Sequence, residues 1–417
     1  MAAKGEGNPL CDGTLFVVQQ EARRAERYVG NSNNDPDIAA LIRATLTRRP
    51  KGPVVSQWEG AMRDRKWSRR DLLKASTASA AGLLFAEPLK AAAPPAEDVT
   101  PALIEAAKKE GKLSFYSALE LTTAERLART FEAKYPGIAV RVERSGAERI
   151  FQRIAQEQGS GIKAVDVANS TDPAHYLEWK KNDWLAPYLP GEVARHFPAD
   201  QIDPDGMYAT ACAWTEAIGY NTSLVKREDA PKSYADLLDP KWTGKMVKAH
   251  PGYSGAILTT TFLLARDLGW PYLEKLARQK IMQVQSAADP PKKILLGERA
   301  VMADGNDYNL VLLKDQGKPV EVVYPAEGSP LIIVPSGIFR GAPNPNAARL
   351  FQSFFFSAEA QQMLLVDVFA HRSFHGQVKE KGEHVPLSSL KLLKADPVQV
   401  QAQSEEIKAR YAKLFGV

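Results

Sequence analysis

The stretch LSFYSALELTTAERLARTFEAKYPGIAVRVERSG, residues 113–146, decides the architecture. Its opening, LSFYSA, reads as a strand running into a polar loop. TTAERLARTFEAKYPG then sets Ala124, Leu127, Ala128, Phe131 and Tyr135 on one face of a 3.6-residue period and stops at Pro136-Gly137. IAVRVER alternates with a period of two. Strand, helix and strand follow one another with short turns between them.

The same alternation continues outward. Upstream, PALIEAAKKEGK is a helix stopped by Gly111. Downstream, AERIFQRIAQEQ carries the stripe Ile150, Phe151, Ile154 and Ala155, and AVDVANS is a short buried strand. SYADLLDPKWTGKMVKA reads as helix, turn and strand, and SGAILTTTFLLARDLG as a long buried helix from Ser254 to Gly269. Repeated β and α units predict an α/β fold of mainly parallel sheets flanked by helices. Ligands on such sheets sit at the carboxyl ends of strands, against helix N-termini. The loops to inspect are therefore YSALELTTAE, NSTDP, HPGYSGA, QSAADPP and DGNDYN.

Residues 65–86, RKWSRRDLLKASTASAAGLLFA, are of another kind. A basic start, paired Arg69 and Arg70, and an apolar run shorter than the roughly 20 residues of a membrane span lead into KAAAPPAED, the order of a cleavable export signal. The segment resembles the twin-arginine pattern, with Leu72 in place of the usual Phe. Residues 62–96 are thus expected to be the signal peptide, cut between residues 91 and 96. Met62 stands where a short n-region would begin, so residues 1–61 read as an upstream extension or a mis-assigned start. DPDIAALIRATL within them has the pattern of a short helix, which keeps a genuine extension open.

Charge follows the same division. Residues 1–96 carry 15 of the 54 basic and 10 of the 49 acidic residues, leaving 39 of each on residues 97–417. The net +5 lies on the part expected to be removed, and no basic stripe interleaved with aromatics follows it. The footprint of a nucleic-acid binder is missing. Of the two cysteines, Cys11 and Cys212, only Cys212 remains after cleavage, which excludes a disulfide within the mature chain. Its surroundings, YATACAWTEA, suit a small buried hydrophobe. Roughly 320 residues are long for one core and suit two domains.

With these segments in order, the chain resembles periplasmic solute-binding proteins of the ferric-iron-binding type, within the type II periplasmic binding fold. The quoted stretch at 113–146 resembles their opening. IGYNTSLV, SYADLLDPKWTGKM, HPGYSGA, GERAVMADGNDYN and SAEAQQMLL continue the likeness over residues 100–370; ADLLDPKWTGK is its most specific part. The resemblance implies a two-lobed clamp with the ligand cleft between the lobes. It would capture a small solute in the periplasm and pass it to an inner-membrane ABC permease, after export by the twin-arginine translocase. Lobe 1 would comprise residues 97–213 and 322–417 and lobe 2 residues 214–321, with crossings near 214–221 and 320–325.

The solute stays open between two classes. Iron binders of this type offer an early His, a Glu and an adjacent Tyr pair, because ferric iron favours oxygen ligands. Here the loop after Tyr116 and Ser117 carries Glu120 where the His would stand. Ser170, Thr171 and Asp172 stand where the Glu would be, and the Tyr pair appears as Asp307-Tyr308. Asp307 and Tyr308 are the residues that would hold a metal. No cofactor is required; Fe3+ would be the transported ligand. The rival is a small organic solute. Ser254 and Gly255 open a helix whose N–H groups favour an anion, and the resemblance extends to carriers of phosphorylated sugars or phosphonates. Asp172, Asp289 and Asp307 would instead suit a polyamine, although Asp172-Pro173 and Asp289-Pro290 equally fit helix N-caps. Trp214, Tyr116 and Tyr253 are candidates to stack on a ligand or to fill the core. His175, His250, His371 and His375 show no metal-ligand spacing.

An enzyme is the remote alternative. GYSGA around Ser254 approaches the nucleophile elbow but has Ala256 for the last Gly. No metal-binding, phosphate-loop or dinucleotide motif accompanies it. A non-enzymatic binder is the expectation.

Overall fold

The computed structural model describes residues 93–417 apart from Glu383. The export signal with Arg69 and Arg70, and the extension before it, lie outside the described residues. Helix α1 (Pro101–Glu110) begins at Thr100, whose Oγ1 accepts from the Leu103 N–H. It ends at Gly111, whose φ of 70° is the left-handed conformation that closes a helix. Strand β1 (Lys112–Ser117), helix α2 (Leu121–Lys134) and strand β2 (Ala139–Arg144) follow as the pattern predicts, with β1 and β2 paired in parallel from Lys112 against Ala139. Helix α2 buries Ala124, Leu127, Ala128 and Phe131. Phe131 meets Phe351 at 5.2 Å between ring centroids, and Phe115 of β1 meets the same ring at 4.9 Å.

Helix α3 (Ala147–Gly159), strand β3 (Val167–Asn169), helix α4 (Ala174–Lys181), strand β4 (Leu185–Ala186), helix α5 (Gly191–His196) and strand β5 (Tyr208–Thr215) complete the first pass. The chain then builds a second sheet from β6 (Ile218–Asn221), β7 (Met246–Ala249), β8 (Met282–Val284), β9 (Val301–Met302) and β10 (Val320–Val323). Between these strands lie α6 (Gly255–Asp267), α7 (Trp270–Ala277), α8 (Pro290–Leu295) and α9 (Asp307–Asp315). It returns through β11 (Ser329–Phe339), α10 (Pro345–Phe355), a turn of helix α11 (Ala358–Ala360), β12 (Leu392–Leu393) and α12 (Pro397–Phe415).

The first sheet runs β12-β11-β3-β1-β2, with β4 and β5 also on β11; the second runs β10-β6-β9-β7-β8. The sheets are mixed rather than mainly parallel. β1–β2, β1–β3, β7–β8 and β7–β9 are parallel, as βαβ units require, but β5 with β11 and β6 with β10 are antiparallel. The chain leaves one sheet along β5 and β6 and comes back along β10 and β11, so each outgoing strand lies beside a returning one. SYADLLDPKW forms two 3-10 turns, Ala235–Leu238 and Pro240–Trp242, in place of the expected helix. Pro240 cannot donate an intrahelical bond, and the Asp239 carboxylate takes the Lys241 N–H instead. Cys212 is buried in β5, and burial pushes its thiol pKa up. Among the described residues no helix is long and apolar enough to cross a membrane.

Candidate functional site

A cleft of about 360 Å³ lies between the sheets. On the first-sheet side it is walled by the loop after β1, the join of β2 to α3, and Thr171. On the other side stand Tyr253 and Ser254, residues 285–289, Lys292, Asn306 and Tyr308, with Trp214 between the walls. The two sides close tightly: a Cβ on Gly146 would stand 2.5 Å from the Tyr253 carbonyl, so only glycine fits there.

The charges divide unevenly. Glu120 and Asp289 both face Lys292, at 3.4 and 3.8 Å. Arg144 spends Nε on the Leu119 carbonyl, and Arg149 donates to Gln285 across the cleft while lying 5.4 Å over the Tyr253 ring. Neither arginine has a carboxylate partner among the described residues. Two 13-residue helices also begin at the cleft: α3 behind Gly146, and α6 behind Ser254, whose Oγ accepts from Ile257 N–H. Uncompensated guanidinium groups and helix N-termini on facing walls make a site for an anion.

Of the residues singled out in the sequence, Glu120, Thr171, Trp214, Tyr253, Ser254, Asp289 and Tyr308 line the cleft. The others do not. Tyr116 lies under α3, donating to Glu157 beneath the Arg153 guanidinium; burial and Glu157 push its phenol up to about 12. Ser117 is buried against Asn169, and Ser170 against His175. The Asp172 carboxylate takes the Ala174 N–H at the start of α4, and Gly255 packs onto Asp172. Asp289 stands at the N-cap of α8 without a side-chain capping bond.

Asp307 is a structural residue. It is 1% exposed, accepts from Thr215 N–H and Oγ1 and from Tyr324, and faces Arg372 at 3.8 Å. Tyr308 reaches the cleft, where its phenol accepts from Asn306 Nδ2; burial, with Glu120 beside it, holds its pKa well above 10. The adjacent pair is thus split, one side chain to each task, because consecutive residues at a helix start point in different directions. Two groupings that spacing did not reveal are Glu148 with Asp172 and His175, and Glu192 with His196 and His375. Both lie outside the cleft lining. His175 is already bonded to Ser170 and Glu148, and His375 to Glu192 and the Gln377 N–H.

The residues missed in the sequence are Arg144, Arg149, Lys292 and Asn306. The available signal was the segment ERSGAE, which joins β2 to α3 at a strand's carboxyl end, where ligands of such folds sit.

His371 backs the aromatic wall, stacked on Trp214 at 5.3 Å and edge-on to Tyr308 at 4.3 Å. Neither ring nitrogen has a hydrogen-bond partner among the described residues, and burial lowers its pKa from 6.5 to about 3. Below about pH 6.5 the unfolded chain takes a proton that the folded one refuses, so stability is intact above that pH and falls with acid. At about pH 5 the difference is roughly 2 kcal/mol. His371→Phe should remove that part, so urea denaturation at pH 7 and pH 5 should give a smaller gap for the variant than for the parent. An equal gap would mean that the native ring accepts the proton.

Two mixed α/β lobes around one charged cleft define a solute-capture protein. The chain belongs to the family of bacterial extracellular solute-binding proteins, whose profile matches residues 126–369. It is similar to a periplasmic protein of Salmonella typhimurium provisionally described as binding 2-aminoethylphosphonate, at 26% identity over 55% of this chain and 67% of the relative. It is also similar to iron uptake protein A1 of Synechocystis, at 22% identity over 61% of this chain and 74% of the relative. Similar solved structures include AfuA of Actinobacillus pleuropneumoniae with fructose-6-phosphate bound, at TM-score 0.67 and 23% identity over 74% of this chain and 99% of that one. Iron-bound HitA of Pseudomonas aeruginosa has TM-score 0.62 and 21% identity over 72% and 99%. At these identities the structural likeness establishes the fold.

Proposed function

We propose that the cleft captures a small organic anion bearing a phosphoryl or phosphonate group, in preference to ferric iron. The observation that carries this reading is the pairing of Arg144 and Arg149 with the start of α3 on one wall and the start of α6 on the other. A tyrosinate iron site lacks support by comparison: of the two tyrosines on the cleft, Tyr308 is held protonated and Tyr253 lies under the Arg149 guanidinium, while Asp307 is committed to Thr215. Glu120, Asp289 and Asn306 Oδ1, which has no partner among the described residues, supply acceptors for the hydroxyl or ammonium end of such a solute. A relative provisionally described as binding 2-aminoethylphosphonate, and a similar structure with fructose-6-phosphate bound, are consistent with this chemistry.

The protein acts without catalysis. It is exported to the periplasm by the twin-arginine translocase, reading Arg69 and Arg70, and hands its solute to an inner-membrane ABC permease. Lobe closure pivots on residues 216–217 and 324–328, where the chain passes between sheets, and is stabilised by contacts that both lobes make to the solute.

A thermal-shift panel of fructose 6-phosphate, 2-aminoethylphosphonate, spermidine and ferric citrate tests the reading. A ligand at a hundred times its Kd adds about 2.7 kcal/mol of stability, and the shift is expected from the two phosphorus compounds. Ferric citrate should produce no phenolate-to-iron charge-transfer band. Such a band, lost in Tyr308→Phe, would overturn the anion reading in favour of iron.

A further inference from the structure

Helix α12 lies across both lobes, and its two contacts run back to the two sides of the cleft. Toward the first lobe, Lys408 Nζ stands 2.6 Å from Glu148 Oε2, and Glu148 Oε1 lies 3.1 Å from His175 Nε2. His175 Nδ1 is 2.9 Å from Ser170 Oγ, which also takes the Asp172 N–H. Thr171, held between those two bonded residues, lines the cleft. Glu148 is itself the second residue of α3, next to Arg149. Toward the second lobe, Tyr411 accepts from Lys248 Nζ at 3.0 Å and donates to Gln283 at 2.8 Å. Lys248 faces Asp304 at 3.3 Å, two residues before the cleft residue Asn306. On the N-terminal side of both contacts, Val400 and Ile407 pack with Ala174 of α4 and with Leu258 and Phe262 of α6.

We infer that α12 is a strap that sets the two cleft walls against each other, with Lys408 and Tyr411 as its positioning residues. Lys408 and Tyr411 are three residues apart and so share a helix face, but each holds a different lobe. Three of the four charges are shielded, with the Glu148 side chain 4% exposed, Lys248 1% and Asp304 2%, while Lys408 is 22% exposed. Burial pushes the Glu148 carboxyl up, yet His175 and Lys408 outweigh it and hold its pKa at about 2. Sliding the first lobe along the helix would part the buried Glu148 carboxylate from Lys408, and sliding the second would strip the buried Lys248 of its Tyr411 bond, both of which are unfavourable. Motion that keeps both ends attached is therefore the permitted one, whatever solute the cleft takes.

Hydrogen exchange of the full chain without added solute tests this. Lys408→Met should speed exchange about tenfold at residues 170–172 and, in the other lobe, at residues 304–308, which Lys408 does not touch. Lys408→Arg should restore both. Tyr411→Phe, the milder change, applies the same test from the opposite end should Lys408→Met fail to fold: it should speed exchange at 170–172. Strands β1 and β11 serve as controls for global unfolding. Exchange that rises only beside the substituted contact, or nowhere, would overturn the strap and leave α12 as ordinary packing.

Discussion

Arg149→Met is expected to weaken capture of a phosphorylated or phosphonate solute by about 10- to 100-fold, since hydrogen bonds to charged groups contribute about 1.5–3 kcal/mol. The Arg149 guanidinium has no carboxylate partner among the described residues, touches Gln285 and Tyr253 of the facing wall, and sits in the first turns of α3, whose dipole reinforces its charge. Arg144→Met should act in the same direction from the end of β2. Titration calorimetry with fructose 6-phosphate and 2-aminoethylphosphonate at two salt concentrations checks both. The parent's affinity should fall as salt rises, and each variant should show a shallower fall. Parent-like affinity and salt response in both variants would move the anion out of this cleft.

Asp307→Ala should have the largest effect on stability, a loss of about 3–5 kcal/mol, the range for removing one partner of a buried ion pair. The substitution strips Thr215 of two hydrogen bonds and leaves Arg372, 4% exposed, facing only Glu380 at 3.3 Å. Asp307 sits where the chain passes from β5 to β6 and beside the return at Tyr324, so the loss falls on both crossings. Guanidinium denaturation gives the value directly. Tyr308→Phe, one residue on, should cost far less, because the phenol only accepts from Asn306. A ranking in the other order would return Asp307 to the cleft as a ligand.

These two residues also show how far the chain could be read before it folded. Helix α2, strand β2 and the burial of Phe131 follow from periodicity, which depends only on neighbours three, four or two places away. The loops that carry Glu120, Thr171, Ser254, Asp289 and Tyr308 were legible too, because the ends of strands and the starts of helices are marked by Gly, Pro, Ser and Asp. Tyr116 and Ser117 were placed on the cleft loop, but β1 continues through Ser117, so both side chains are taken by α3 and by Asn169 before the loop begins.

Local pattern was sufficient for the α/β alternation, the order of the elements and the loops that bear the site, since each is a short-range property of the backbone. Which side chain of each loop faces the solute was decided by long-range pairing. Thr215, 92 residues before Asp307, claims its carboxylate. Lys292, 172 positions beyond Glu120, offsets that acid. Arg149 faces the cleft against Tyr253 and Gln285, which come from the opposite wall more than a hundred positions along the chain. Charge balance and burial are sums over neighbours in space, and only the folded chain brings those neighbours together.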